Sequence, residues 1–273
     1  GAPYAPFDVR LVGMPTRGMD RKCAAVIAKR ADPRQARGGR VGPAQVLLVA
    51  RGDRVEVALV AGRDLWKRGW RKQPGRAPLR ECLAAALLRL AEWTPDEWLV
   101  DPMCGSGTFP IEAAHIGLGR APGAHRSFAA QWWPGFDDKA FDRAKKAARK
   151  AGSGSVRVWG SDRDARQLAA ARANAQTARV DRQIRLEQVA FEDLEPPADH
   201  GLVLMNPPYG HRLGASEKTY RFIGGQLERW EGWRYGVLLP DAALVKCLPG
   251  RPEVTVMFRN GGQKVWFAVG HVP

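Results

Sequence analysis

Two acceptors held at the end of an apolar run stand out in Gly201–Gly210, GLVLMNPPYG. After Met205 come Asn206, Pro207, Pro208 and Tyr209. The Asn206 side-chain oxygen and the Pro207 carbonyl can each accept one N–H, and the prolines fix the backbone between them. Such a pair suits an exocyclic amine of a nucleobase. That amine is a poor nucleophile, because its lone pair is delocalised into the ring. Two fixed acceptors draw the nitrogen toward sp³ and aim the lone pair at an electrophilic carbon. Tyr209 offers a ring on which the base stacks. A base inside a duplex cannot reach this pocket, so a flipped or single-stranded base is implied. A strand ending in a Pro-Pro turn explains the prolines but gives no reason for Asn206 or Tyr209.

A second group lies in Trp98–Thr108, WLVDPMCGSGT. An apolar strand runs into an acid, a Gly-x-Gly turn and a helix, the layout that brings backbone N–H groups close to a nucleotide-like ligand. Asp101, Pro102, Cys104, Gly105, Gly107 and Thr108 are the candidate cofactor residues here. Asp101 can accept from a cofactor ammonium or pin the loop. No Gly-Lys-Ser/Thr follows, which argues against a phosphate-cradling loop. The next strand ends VWGSDRD, where Asp162 is placed to take both hydroxyls of a ribose. A helix N-cap is the competing role, and Asp164 serves that role equally well. The long spacing from Asp101 to Asp162 implies an insert between them.

These residues need elements to hold them. Apolar runs predict strands at Trp98–Val100, Val156–Gly160, Ile184–Val189, Gly201–Met205, Tyr235–Leu239, Glu253–Phe258 and Lys264–Val269. Helices are expected after Leu79 (RECLAAALLRLAEW) and at Thr108–Gly117, Asp164–Ala178 and Glu217–Trp230. The alternation predicts an α/β Rossmann-like fold with a doubly wound sheet. Asn260-Gly261-Gly262 is a hairpin signal, so the sheet should close on an antiparallel pair. Upstream, Asp8–Val12, Ala44–Ala50 and Arg54–Val60 read as strands and Asp20–Arg30 as a helix. This β-α-β-β piece is expected to pair with further chain or dock on the remainder. Domain boundaries are expected at 1–62, a linker at 63–78, and 79–273 with an insert at 118–155.

The net charge is +15, and residues 1–75 hold 16 Lys+Arg against 6 Asp+Glu. A positive field concentrated in one quarter of the chain suits a polyanion, although a solvated basic surface would look the same. Arg68 and Arg71 are candidates for RNA contact or for docking the two domains, while Trp66 and Trp70 fit a core. His125, Arg126, Trp132 and Trp133 mix cations with aromatics in the insert, as phosphate contact plus base stacking would require. Lys145, Lys146, Arg149 and Lys150 follow as a cationic helix face. Four cysteines without a CxxC pair predict neither zinc nor disulfides, and hence a cytoplasmic protein. No apolar run is long enough for a membrane span.

With both motifs in hand, the chain resembles the THUMP-associated guanine-N2 RNA methyltransferases. Within them it is most similar to the N-terminal methyltransferase module of the bacterial large-subunit ribosomal RNA enzymes. The likeness is carried by LWKRGWR, APLRECLAAALL, DPMCGSGTFPIEAA, RAPGAHR, GSDRDARQLAAARANA, NPPYGHRL and FRNGGQKVWF, across nearly all of 60–273. It implies a seven-stranded class I methyltransferase domain, S-adenosylmethionine as cofactor, no metal, and N2-methylguanosine in ribosomal RNA as product. Transfer RNA guanine, or adenine N6, is the alternative target, and a non-catalytic RNA-binding protein is the alternative class. It also implies that Ala77, Leu79 and the first strand loop surround the methionine end of the cofactor. The family's usual adenine-contacting Asp is replaced here by Ala190, which leaves Asp193, Glu192 or the backbone near Phe191 for that role. Residues 1–60 resemble only the C-terminal part of a THUMP domain, so a further half-domain is expected upstream. The oligomeric state is left open.

Overall fold

The computed structural model describes residues 7–12, 22, 44–51, 54–62, 65–73, 79–123, 126–132, 136–150, 154–208 and 217–273. The helix expected at Asp20–Arg30 falls almost wholly outside them, as do Ala77, His125, Trp133 and Tyr209.

The chain divides into two compact units, one of Gly1–Leu65 with His125–Ala147, the other of Trp66–Ala124 with Ala148–Pro273. The boundary differs from the expected one, because the centre of the insert groups with the N-terminal segment. In that unit, β1 (Phe7–Val12) lies parallel to β2 (Ala44–Arg51), which pairs antiparallel with β3 (Arg54–Val60). The segment therefore forms a sheet of its own. The insert joins it through Ala130, whose N–H donates to Ala61 O at 3.0 Å; within the insert, Phe128 meets Phe141 edge-on. Phe141 belongs to α3, Asp138–Lys150.

The larger unit is built on seven strands in the order β6-β5-β4-β7-β8-β10-β9. They are β4 Trp98–Asp101, β5 Val158–Ser161, β6 Ile184–Glu187, β7 Gly201–Met205, β8 Arg234–Leu239, β9 Val254–Asn260 and β10 Gln263–His271. The first five run parallel and β10 runs antiparallel to both neighbours. Gly261 and Gly262, with φ of 58° and 87°, supply the two left-handed positions that a tight hairpin demands.

Alternation explains why the central strands read as unbroken apolar runs. Leu99, Leu202, Leu204 and Leu238 enter one core with α1 (Glu81–Leu90), α2 (Thr108–Gly117) and α4 (Ala165–Ala178). Val100, Val203, Met205 and Val237 enter the other with α5 (Glu217–Leu227), Trp230 and Trp233. Both faces of the sheet are thus covered, and central strands such as β7 and β8 carry apolar side chains toward each. Helices α1 and α5 end earlier than the apolar pattern suggests. Past Leu90 and Leu227 the apolar residues pack from turns.

Candidate active site

Strand β4 sits between β5 and β7. The chain leaves β4 for β5 on one side and later returns to β7 on the other. This reversal is a topological switch point, where the loops leaving two neighbouring parallel strands diverge and open a crevice. Val100 lies beside Val203 in the register, so Asp101 closes β4 on the same sheet edge where Asn206 follows β7.

The turn after β4 is wired from several sides. Met103 N–H donates to Asp101 Oδ1 at 3.2 Å. Cys104 N–H donates to Ser161 O at 2.9 Å, tying the turn to the end of β5, and Gly107 N–H returns to Cys104 O at 2.8 Å. Gly105 N–H donates to Asp162 Oδ2 at 2.9 Å, while Asp162 Oδ1 accepts Asp164 N–H at 2.9 Å. The cap of α4 is Asp164, whose side chain accepts Arg166 N–H. Asp162 is therefore relieved of the capping role and braces the glycine turn, with one lone pair on each oxygen engaged.

The two glycines serve different ends. At Gly107, φ is +85° and a Cβ would press on Ala171 at 3.1 Å, so α2 starts tightly against α4. At Gly105, φ is +53° and a Cβ would meet only Gln167 Oε1, at 3.8 Å. Open space beside a left-handed glycine, with two acids at its rim, is a cradle for a ligand with cationic and hydroxyl groups. No side chain caps the N-terminus of α2, so its first N–H groups face the same turn.

Burial sets the protonation tendencies. It pushes the Asp101 carboxyl well above its usual range, against the Met103 N–H, and the nearby Asp162 charge adds to the rise. Burial raises Asp162 as well, opposed by the Asp164 and Gly105 N–H groups. Cys104 is also pushed up by burial and by both acids, which keeps it a thiol and removes it as a nucleophile.

At the end of β7, Asn206 is half-buried with Oδ1 sealed from solvent, Pro207 is buried and Pro208 exposed. Phe191 is a core residue, its ring centroid 6.3 Å from that of Trp230. Asp193 and Glu192 are exposed in the short turn Phe191–Asp193.

The linker cations have partners within this unit. Arg71 Nε donates to Glu81 Oε1 at 3.2 Å, its Nη1 to Ser106 Oγ at 3.1 Å, and its Nη2 to Leu79 O and Thr108 Oγ1, both at 2.9 Å. Arg68 Nε lies 3.4 Å from Glu112 Oε2, and Trp70 Nε1–H donates to Glu112 Oε1 at 3.2 Å. Burial pushes Glu112 up to about 7, against the Arg68 charge and the Trp70 hydrogen bond. Trp70 is core, as expected. Sequence reasoning missed Glu81, Glu112 and Asn174, each an uncharacteristic polar residue on an apolar helix face. Asn174 Oδ1 accepts Lys72 N–H and Gln73 N–H, and its Nδ2 donates to Gln73 O and Ser106 O. In the N-terminal unit, Arg126 is half-buried, and its carbonyl accepts from Lys145 Nζ at 3.4 Å.

Residues 68–263 match the UPF0020 family, described as RMKL-like, methyltransferase domain. Over 220 residues, the chain is 36% identical to the ribosomal RNA large subunit methyltransferase K/L of Marinomonas, covering 74% of this chain and 30% of that protein. The chain spans about half the length, or less, of the curated relatives it matches. Among solved structures, SMU.472, provisionally named a methyltransferase and complexed with SAH, superimposes with a TM-score of 0.83 at 28% identity, over 97% of this chain and 74% of that one. A Listeria monocytogenes protein named by inference as an N6-adenine-specific DNA methylase superimposes with a TM-score of 0.79 at 29% identity, over 96% and 72%.

Proposed function

The chain belongs to the RMKL-like methyltransferase-domain family, and from that premise we propose that it methylates the exocyclic N2 of guanine in RNA, with large-subunit ribosomal RNA as the target. The observation that supports this reading is that Asn206 and Pro207 follow β7 and the glycine turn follows β4, at the same ends of two neighbouring parallel strands. The cofactor is S-adenosylmethionine, which supplies an electrophilic methyl on a sulfonium centre. Gly105 and the first turn of α2 form its bed, and the remaining lone pairs of Asp162 receive ribose hydroxyls. Asp101, a buried carboxyl with a raised pKa, gains most from a cationic partner, so the amino-acid ammonium belongs there. The backbone near Phe191 is left to hold the adenine.

Asn206 Oδ1 and the Pro207 carbonyl take the two N–H groups of the target amine and turn its lone pair toward the methyl. Tyr209 stacks on the base. No strong general base is needed against so good an electrophile, and most of the acceleration comes from positioning and electrostatics. The N-terminal unit, read as part of a THUMP domain, and the cations of the insert hold the RNA.

Guanine N2 rests on the APL and RAPGAHR runs, and the name of the Listeria neighbour keeps adenine N6 as the second reading. The test is transfer of labelled methyl from S-adenosylmethionine to unmodified ribosomal RNA, transfer RNA and DNA, followed by nucleoside analysis. The proposal expects N2-methylguanosine in large-subunit ribosomal RNA. N2-methylguanosine in transfer RNA alone would move the substrate, and N6-methyladenosine would overturn the guanine reading.

A further inference from the structure

Arg71 makes contacts that its place in a basic linker does not suggest. Its guanidinium donates through three nitrogens to four acceptors on two segments: Leu79 O before α1 and Glu81 Oε1 in its first turn, and Ser106 Oγ and Thr108 Oγ1 at the glycine turn. Only 13% of the side chain is exposed, and Glu81 is 2% exposed. Ser106 and Thr108 are buried too. The Trp70 ring lies 5.0 Å from its guanidinium carbon. Asn174, fully buried, makes a parallel connection from the linker backbone at Lys72 and Gln73 to Ser106 O.

These contacts join two stretches of chain with no backbone continuity between them. One runs from Leu79 into the first turn of α1, the other is the glycine turn after β4. Ser106 and Thr108 flank Gly107, where the backbone is left-handed, so their side chains decide how that turn is held. A planar fork with donors fixed in direction can satisfy acceptors spread in this way. An ammonium, whose donors diverge from one atom, cannot.

We propose that Arg71 is a positioning residue for S-adenosylmethionine, fixing the Leu79 segment against the glycine turn, and that it is not a phosphate contact. The inference rests on the cofactor reading above. It separates Arg71 from the RNA role that its sequence context suggests.

The test compares wild type, Arg71→Lys, Arg71→Ala, Thr108→Val and the exposed control Arg166→Ala. S-adenosylhomocysteine affinity is measured by calorimetry well below each melting temperature, and RNA affinity over a range of salt. Arg71→Lys keeps the charge and loses the fork. It should weaken S-adenosylhomocysteine binding roughly tenfold or more, the scale of one charge-assisted hydrogen bond. RNA affinity and its salt slope should stay within experimental scatter. Thr108→Val removes one acceptor without removing the cation, and should shift cofactor affinity in the same direction by less. If Arg71→Lys does not fold, Thr108→Val still decides. Arg71→Lys and Thr108→Val with wild-type cofactor affinity would overturn the proposal. So would a salt slope reduced by about one phosphate contact in Arg71→Ala. Failure of wild type itself to bind S-adenosylhomocysteine would instead strike the cofactor reading.

Discussion

The linker at 66–73, WKRGWRKQ, and helix α3, DKAFDRAKKAARK, have comparable densities of Lys and Arg. Their cations live differently. In the linker, Arg68 and Arg71 lie against Glu112 and Glu81, whose side chains are each 2% exposed. In α3, Lys139, Arg143 and Lys146 recur at helical spacing and are all exposed, while Phe141 turns inward onto Phe128 and Phe136. The difference comes from what is buried nearby. An acid placed on an apolar helix face fixes a neighbouring cation as part of the fold. A cation without such an acid stays in water, where it is free to meet a phosphate.

The largest expected effect lies in the linker. Glu81→Ala leaves the Arg71 cation buried without its anion and should destabilise the chain by about 3 kcal/mol. A urea midpoint unchanged from wild type would remove the structural half of the contrast. Next comes a pH dependence. Between its ordinary value of 4.5 and the folded value of about 7, Glu112 binds an extra proton in the folded state. Its contribution to stability is therefore complete below about 4.5 and lost as pH rises toward 7. The loss is at most about 3 kcal/mol at roughly 1.4 kcal/mol per pKa unit. Glu112→Gln should flatten that part of the stability profile, and a profile as steep as wild type would assign it to another group. The smallest effect on stability is expected in α3. Replacing Lys139, Arg143 and Lys146 together with Ala should change it by less than about 0.5 kcal/mol. If α3 holds RNA, the slope of log affinity against log salt should fall by about 2, as for three contacts to a single strand. An unchanged slope would make α3 merely a solvated face.

The same contrast shows where sequence reasoning reached and where it stopped. The strands of the seven-stranded sheet and the Asn260-Gly261-Gly262 hairpin were legible because period and turn chemistry act over a few residues. The glycine turn was legible for the same reason, and Asp164 as a cap needed only its neighbour Arg166. Arg68 and Arg71 were not legible, since their partners Glu112 and Glu81 are 44 and 10 positions away and nothing local announces the pairing. A usable signal existed in FPIEAA and LRECL, where a lone acid interrupts an apolar helix face beside a basic linker. The grouping of His125–Ala147 with the N-terminal segment was not legible, because it depends on contacts between distant stretches, such as Ala130 N–H donating to Ala61 O.

Asn206→Ala tests the central claim most directly, since the methyl-accepting amine is said to be aligned by Asn206 and Pro207 beside the glycine turn. Methyl transfer to RNA should fall by a factor of about 100 to 1,000, as for the loss of one preorganised hydrogen-bonding group. S-adenosylhomocysteine affinity, set by the β4 turn, should remain within about twofold of wild type, well under the roughly 1.4 kcal/mol that a tenfold change represents. Turnover retained in Asn206→Ala would contradict the account.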